Sequence, residues 1–297
     1  MTADSFPRGL AAAAKALCAA TFLLVIAGGL VTSTGSGLSV PDWPTTYGQN
    51  MFTFPPSKWV GGIRFEHSHR LIAATVGMLT VAIAVWAWIA RAPRPVRILS
   101  AAAVGTVVLQ GVLGGLTVRY LLPTPISVAH ACLAQSFFAL TVVLAMVTSI
   151  RWRTSETPLS FSPSARDGLL AGLLAFAAVF VQLVLGAWMR HSDAGLAIPD
   201  FPTAFGRVVP DRWDPRIAVH FAHRAWAAVV AIAVFSSAVV VRRGRRGAGP
   251  RRVALLLSLL LPVQMFLGAL SIWSKKGVVF TVAHQTTGAL ILAGTVA

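Results

Sequence analysis

The chain has 297 residues, 56% of them hydrophobic and only 11% charged, and its 25 Lys and Arg outnumber nine Asp and Glu for a net charge of +16. A soluble domain carries about 25% charged residues, so this composition excludes an ordinary water-soluble fold and indicates a chain whose solvent is largely lipid. The positive charge does not indicate nucleic acid, because the basic residues fall in short clusters between apolar runs, which is the pattern of membrane topology.

Taken in chain order, eight segments reach the roughly 20 apolar residues that a helix needs to cross the hydrocarbon core. They are 10–31, 65–90, 98–118, 126–149, 168–189, 217–241, 253–273 and 279–297. The first, Leu10 to Val31, is too long for the apolar region of a signal peptide and ends without an A-x-A-like site, so it reads as a span. The last reaches Ala297, where the chain is expected to stop at the membrane face. Lys and Arg alternate between the connecting segments. The N-terminal tail (Arg8, Lys15) and the loops Arg91–Arg97, Arg151–Arg166 and Arg242–Arg252 hold 14 basic residues and, with Asp167 at the edge of the third, three acids; segments 32–64, 119–125, 190–216 and 274–278 hold nine and five. The positive-inside rule therefore places both termini in the cytoplasm and the two long loops, 32–64 and 190–216, outside.

An internal repeat organises these spans. GLSVPDWPTTYG at Gly37–Gly48 matches GLAIPDFPTAFG at Gly195–Gly206, with seven of twelve positions identical. His69-Arg70 matches His223-Arg224, Val128-Ala129-His130 matches Val282-Ala283-His284, and Gln110 matches Gln264, all at an offset of 154 residues; the loop motif has an offset of 158. The copies are four spans apart, so they share one orientation, as in a parallel repeat about an axis along the membrane normal. The expected fold is an all-α integral membrane protein of eight transmembrane helices in two four-helix bundles: 1–150, a cytoplasmic linker at 151–167, and 168–297.

Four of the seven histidines belong to the repeat: His69, His130, His223 and His284. Each lies a turn or two inside an even-numbered span, so all four share one depth near the outer leaflet, two per bundle. Ionisable groups within spans indicate function by default. Two histidines on facing helices suit the two axial positions of a heme, a flat disc that an apolar bundle interior accommodates. The bland alternative is a buried histidine donating one hydrogen bond between helices. A zinc or copper cluster is the competing ligand reading, weakened because no cysteine or carboxylate cluster joins the histidines.

The repeat also breaks. Glu66 lies three residues before His69 on one helix face, whereas the corresponding residue, three before His223, is His220. A carboxylate beside a heme can do acid–base work or orient an oxygen species; alternatively Glu66 pairs with Arg64 or Arg70 and anchors the helix. His67 points about 100° away and is expected to be peripheral; His191 is expected to be solvated in the loop. Arg70 and Arg224 suit either heme propionates or salt bridges to Asp42 and Asp200. The P-D-x-P-T motifs read as rigid turns, with Trp43 and Phe201 as heme covers or interfacial anchors. Gln110 and Gln264 read as interhelical hydrogen-bond partners, and the small residues Gly111–Gly115 and Gly268–Ala269 as close helix packing. Cys18 and Cys132 read as small apolar fillers.

The E-x-x-H-R of Glu66–Arg70, the loop sequence GSGLSVPDWPTTYG and the single histidines in spans four, six and eight resemble the heme A synthase family over essentially the whole chain. The resemblance implies oxidation of the C8 methyl of heme O to a formyl group, giving heme A for heme-copper oxidases. It implies a heme b cofactor on His223 and His284, substrate heme O at His69 and His130, and a catalytic Glu66. The implied partners are heme O, the farnesyltransferase that makes it, a membrane electron donor such as quinol, and further copies of the chain; the implied location is a bacterial plasma membrane. Many members carry a cysteine pair in the first long loop, but here Val40 and Thr46 (Ile198 and Ala204 in the second half) occupy those positions, so no disulfide forms there. The rival readings are a diheme b-type cytochrome relaying electrons from quinol, which gives no reason for the Glu66/His220 difference, and a transporter, for which no span is visibly broken at its middle.

Overall fold

The computed structural model describes residues 7–149, 163–244 and 248–297. Their helices are α1 (Arg8–Ser33), α2 (Ile63–Ile89), α3 (Arg94–Arg119), α4 (Thr124–Val147), α5 (Pro163–His191), α6 (Pro215–Arg243), α7 (Ala248–Trp273) and α8 (Val278–Thr295). Among the described residues, these eight are long and apolar enough to cross a membrane. Helices are the natural form here, because a segment in hydrocarbon must satisfy every backbone polar group internally. The protein is a multi-pass membrane protein, and leucines and isoleucines such as Leu23, Ile89, Leu173 and Ile232 are exposed on its flanks where lipid would lie.

The helix ends explain the short connections. At five of them the chain turns back through a left-handed residue, and the next amide donates to a carbonyl five residues earlier. Ser36 donates to Val31 (2.8 Å), Ala92 to Ala87 (2.9 Å), Leu122 to Thr117 (2.7 Å), Ala194 to Met189 (2.9 Å) and Lys276 to Ser271 (2.8 Å). This closing pattern satisfies carbonyls that the helix leaves open, and it usually places glycine at the left-handed position. Only Gly35 does so here; Arg91, Leu121, Asp193 and Lys275 take that conformation in the other four. Helix starts use proline in the first turn of α3, α4 and α6, where a missing N–H costs nothing. Asp214 additionally caps α6, accepting from the amides of Arg216 (2.7 Å) and Ile217 (2.8 Å).

The chain divides into two compact units, Met1–Glu156 and Thr157–Ala297. Residues 151–162 of the expected linker lie outside the described residues, and 163–167 begin α5. Within each unit the helices close into a ring of neighbours: α1 on α2, α2 on α3, α3 on α4 and α4 on α1 in the first; α5 on α6, α6 on α7, α7 on α8 and α8 on α5 in the second. The apolar core occupies one end of each ring. Leu10, Leu17, Val76, Ile83, Phe137 and Leu144 fill the first, and Val179, Val234, Leu261 and Leu292 the second. The opposite end, under the long loops, holds the histidines.

Candidate functional site: paired histidines beneath two looped caps

Each repeated histidine stands near the start of an even-numbered helix. His69, His130 and His284 are the seventh residues of α2, α4 and α8, and His223 is the ninth of α6. Their placement depends on a glycine of the preceding helix. A Cβ added at Gly28 would stand 3.2 Å from Cε1 of His69, at Gly114 3.1 Å from that of His130, at Gly186 2.9 Å from that of His223, and at Gly268 3.1 Å from that of His284. All four imidazoles therefore seat in notches that a side chain would narrow or close.

A glutamine one turn before the glycine attends three of the four. Gln110 Nε2 is 3.4 Å from His130 Nε2 and donates to the His130 carbonyl (3.1 Å). Gln182 repeats this toward His223, at 3.3 Å and 3.0 Å. Gln264 Nε2 is 3.5 Å from His284 Nε2, and its backbone carbonyl is 3.0 Å from His284 Nδ1. At the corresponding place before Gly28 the chain has Leu24. Gln110 and Gln264 are thus interhelical partners; Gln182 went unnoticed in the sequence, although Q-x-x-x-G recurs at 110–114, 182–186 and 264–268 and was the signal for it.

Whether these residues fit a heme can be tested on the second unit. The ring centres of His223 and His284 are 6.4 Å apart. A metal–imidazole bond of about 2.0 Å, with about 1.2 Å from nitrogen to ring centre, sets two axial imidazoles on one metal about 6.4 Å apart. The pair is spaced for one iron between them. Among the described residues no three His, Cys, Asp or Glu side chains gather as a metal cluster would require, so the unit of the site is a pair.

The looped caps are built alike. Asp42 Oδ1 accepts from the Tyr47 amide (2.7 Å) and Oδ2 from the Gly48 amide (2.8 Å) and the Thr45 hydroxyl. Asp200 does the same for Phe205 (2.8 Å), Gly206 (2.9 Å) and Thr203 (2.5 Å). Gly48 and Gly206 close these turns at φ of 72° and 75°, which glycine adopts freely. Partial burial raises the Asp42 carboxyl, but the donors from Thr45, Gly48 and Tyr47 outweigh it and hold it below the usual range. The Gly206 amide, Thr203 hydroxyl and Phe205 amide hold Asp200 well below that range. Both carboxylates serve their own turns, and the arginines bond loop carbonyls instead. Arg70 donates to the carbonyls of Asp42 (2.6 Å), Thr45 (3.0 Å) and Val40 (2.8 Å), and Arg224 to those of Thr203 (2.9 Å) and Ile198 (3.0 Å). Each arginine staples its loop to the helix that carries the first histidine of the pair.

Glu66 and His220 occupy equivalent places in this staple. Glu66 is 4% exposed; its Oε1 is 2.6 Å from Arg70 Nη2 and its Oε2 accepts from the Val40 amide (2.8 Å). His220 is 2% exposed, with Nδ1 3.2 Å from the Ile198 amide and Nε2 3.1 Å from Arg224 Nε. A carboxylate accepts from both donors and keeps lone pairs to spare, whereas a neutral imidazole has one acceptor nitrogen and serves only one. A second difference lies beside it. His67, expected to be peripheral, is fully buried under the cap, its Nδ1 3.2 Å from the Thr46 hydroxyl and its ring 4.7 Å from that of Trp59. Ala204 and Phe221 stand in those places in the second unit, with Trp213 against Phe221 at 5.4 Å. His191 closes α5 instead of lying free in the loop. Trp43 packs on α3, where a Cβ at Gly115 would meet its ring at 2.7 Å, and Phe201 lies 6.2 Å from Trp273 and under Arg224.

These features define a polytopic membrane protein with a histidine pair held beneath a looped cap in each of two four-helix units. A family profile described as cytochrome oxidase assembly protein matches residues 12–60 and 63–296. The chain belongs to that family. It is similar to curated bacterial proteins named heme A synthase: 33% identical to that of Symbiobacterium thermophilum over 89% of this chain and 85% of the relative, 32% to that of Shouchella clausii over 71% and 68%, and 29% to that of Novosphingobium aromaticivorans over 95% and 94%.

Proposed function

We propose that the chain is a heme A synthase, a membrane oxidoreductase that converts the C8 methyl of heme O to a formyl group. The observation that carries the reading is that Glu66 stands where the repeated frame has His220, which leaves one histidine pair with a carboxylate three residues away on the same helix face. The family and the names of the relatives agree with it. His69 and His130 hold substrate heme O. His223 and His284, spaced for one iron, hold a heme b, which supplies electron transfer when bound.

The residues of the first unit have separate tasks. Arg70 and the Val40 amide fix the Glu66 carboxylate by its two oxygens, and the remaining lone pairs accept a proton or orient an oxygen species at the methyl. Two successive hydroxylations carry the methyl to an alcohol and then to a geminal diol. Each takes one atom of an external dioxygen molecule, while the other leaves as water with two electrons and two protons from the membrane donor. The diol then loses water to give the aldehyde. The Asp42 cap and Arg70 exclude water from that end of the bundle. Arg70 and Arg224 act as structural supports, with propionates as the further acceptors within their reach. The redox partner is a membrane donor such as quinol, heme O arrives from its farnesyltransferase, and the chain lies in a bacterial plasma membrane with both termini cytoplasmic.

The test is expression in a host that makes heme O but no heme A, followed by extraction and chromatography of the hemes. Heme A or its hydroxylated precursor is expected. Bound heme b with heme O unchanged, in the presence of a competent donor, would replace the synthase by the electron-relaying diheme cytochrome.

A further inference from the structure

The four histidine seats are not equivalent, and the difference concerns what a histidine meets if it leaves a metal. Gln110, Gln182 and Gln264 place an amide 3.3–3.5 Å from the Nε2 of His130, His223 and His284. Their Oε1 atoms are buried and have no other partner. Such an amide serves either imidazole tautomer, since Nε2 donates to a bare ring nitrogen and Oε1 accepts from a protonated one. The equivalent position, one turn before Gly28, is Leu24, whose side chain can do neither. The first unit is therefore the one whose two histidines differ in this respect.

We propose that, in the first unit, His130 is the exchangeable axial ligand, handed to Gln110 when it leaves the iron, while His69 is the fixed one. The inference rests on the heme-binding role given to these histidines above. While His130 is ligated, its Nε2 lone pair lies in the bond to iron, and the Gln110 amide keeps its bond to the His130 carbonyl at 3.1 Å. When that bond breaks, the lone pair returns to nitrogen and accepts the amide N–H; no electron or proton changes hands. His69 has no amide at the equivalent position, so on leaving the iron its lone pair would lack the donor that Gln110 offers His130, and an acceptor left unmet is disfavoured. Six-coordinate bis-histidine iron has no open position, so this asymmetry selects the side on which one opens, the face toward α3 and α4. Gln110 is thus a positioning residue that acts through His130. In the second unit both histidines have a glutamine, and neither is singled out.

The test uses the full chain purified with its hemes, reduced, and mixed with carbon monoxide, which binds only where a ligand has left. The phase belonging to the first unit is the one missing from a His69→Ala, His130→Ala double variant. Gln110→Met is expected to slow that phase about tenfold, the weight of one ordinary hydrogen bond, and Leu24→Gln to quicken it by a similar factor while the other phase stays as it was. An unchanged phase in both heme-loaded variants overturns the assignment of His130 and leaves the synthase reading standing. A purified chain that takes up no heme at all overturns both.

Discussion

The two units use the same framework for different ends. Both seat their histidines against glycine, cap the seats with an aspartate-closed turn and pin that turn with an arginine. They part at three places: Glu66 against His220, the Thr46–His67 pair against Ala204 and Phe221, and Leu24 against Gln182. All three lie in the cap loops and in the helices that carry the histidine pairs or seat them. A repeat that keeps its scaffold and varies its buried polar groups has specialised one half, and buried polar groups are where a small change in sequence has the largest electrostatic consequence.

The comparison is best broken at Glu66. Glu66→His makes the first unit like the second, and we expect heme to stay bound while heme A formation falls by about a hundredfold to ten-thousandfold, the usual weight of an acid–base group. Wild-type heme A output from that variant would remove the reason for calling the first unit the reactive one. The arginines come next. Arg70→Met strands a buried carboxylate and should destabilise the protein by about 3–5 kcal/mol. Arg224→Met strands a neutral imidazole and loop carbonyls and should cost about 1–3 kcal/mol. Thermal unfolding in detergent measures both, and equal losses would mean that Glu66 is not charged beneath its cap.

Glycine seats sharpen the comparison without touching a polar group. Gly186→Ala places a Cβ at 2.9 Å from His223 and Gly28→Ala places one at 3.2 Å from His69, so heme content by pyridine hemochrome should fall further in the first than in the second. Thr46→Ala leaves His67 Nδ1 without its partner and should cost about 1 kcal/mol, whereas Ala204→Thr adds a hydroxyl beside Phe221 and gains nothing comparable. The smallest effect is that of pH on the caps. Asp42 and Asp200 are both held below their ordinary range, so each contributes stability that is complete above the unfolded value of about 3.9 and is lost as pH falls toward the folded one. Limited proteolysis at Arg207 should quicken below about pH 4 in the wild type, and Asp200→Asn should flatten that dependence.

Much of this was legible in one dimension. Apolar run length announced eight helices, and the offsets of 154 and 158 residues announced the repeat, its four histidines and the odd Glu66, because span length and spacing are local properties that lipid enforces on any chain. The environment of each side chain was not legible. Asp42 and Asp200 were candidate partners for the arginines, beside heme propionates, and they cap their own turns. His67 looked peripheral but is fully buried. Gln182, Leu24 and the four glycine seats acquire meaning only when α1 meets α2, α3 meets α4, α5 meets α6 and α7 meets α8. Those contacts join residues 16 to 41 positions apart, and which atoms face across a helix pair is set by rotation and close packing of the helices, which no pattern along a single strand of sequence records.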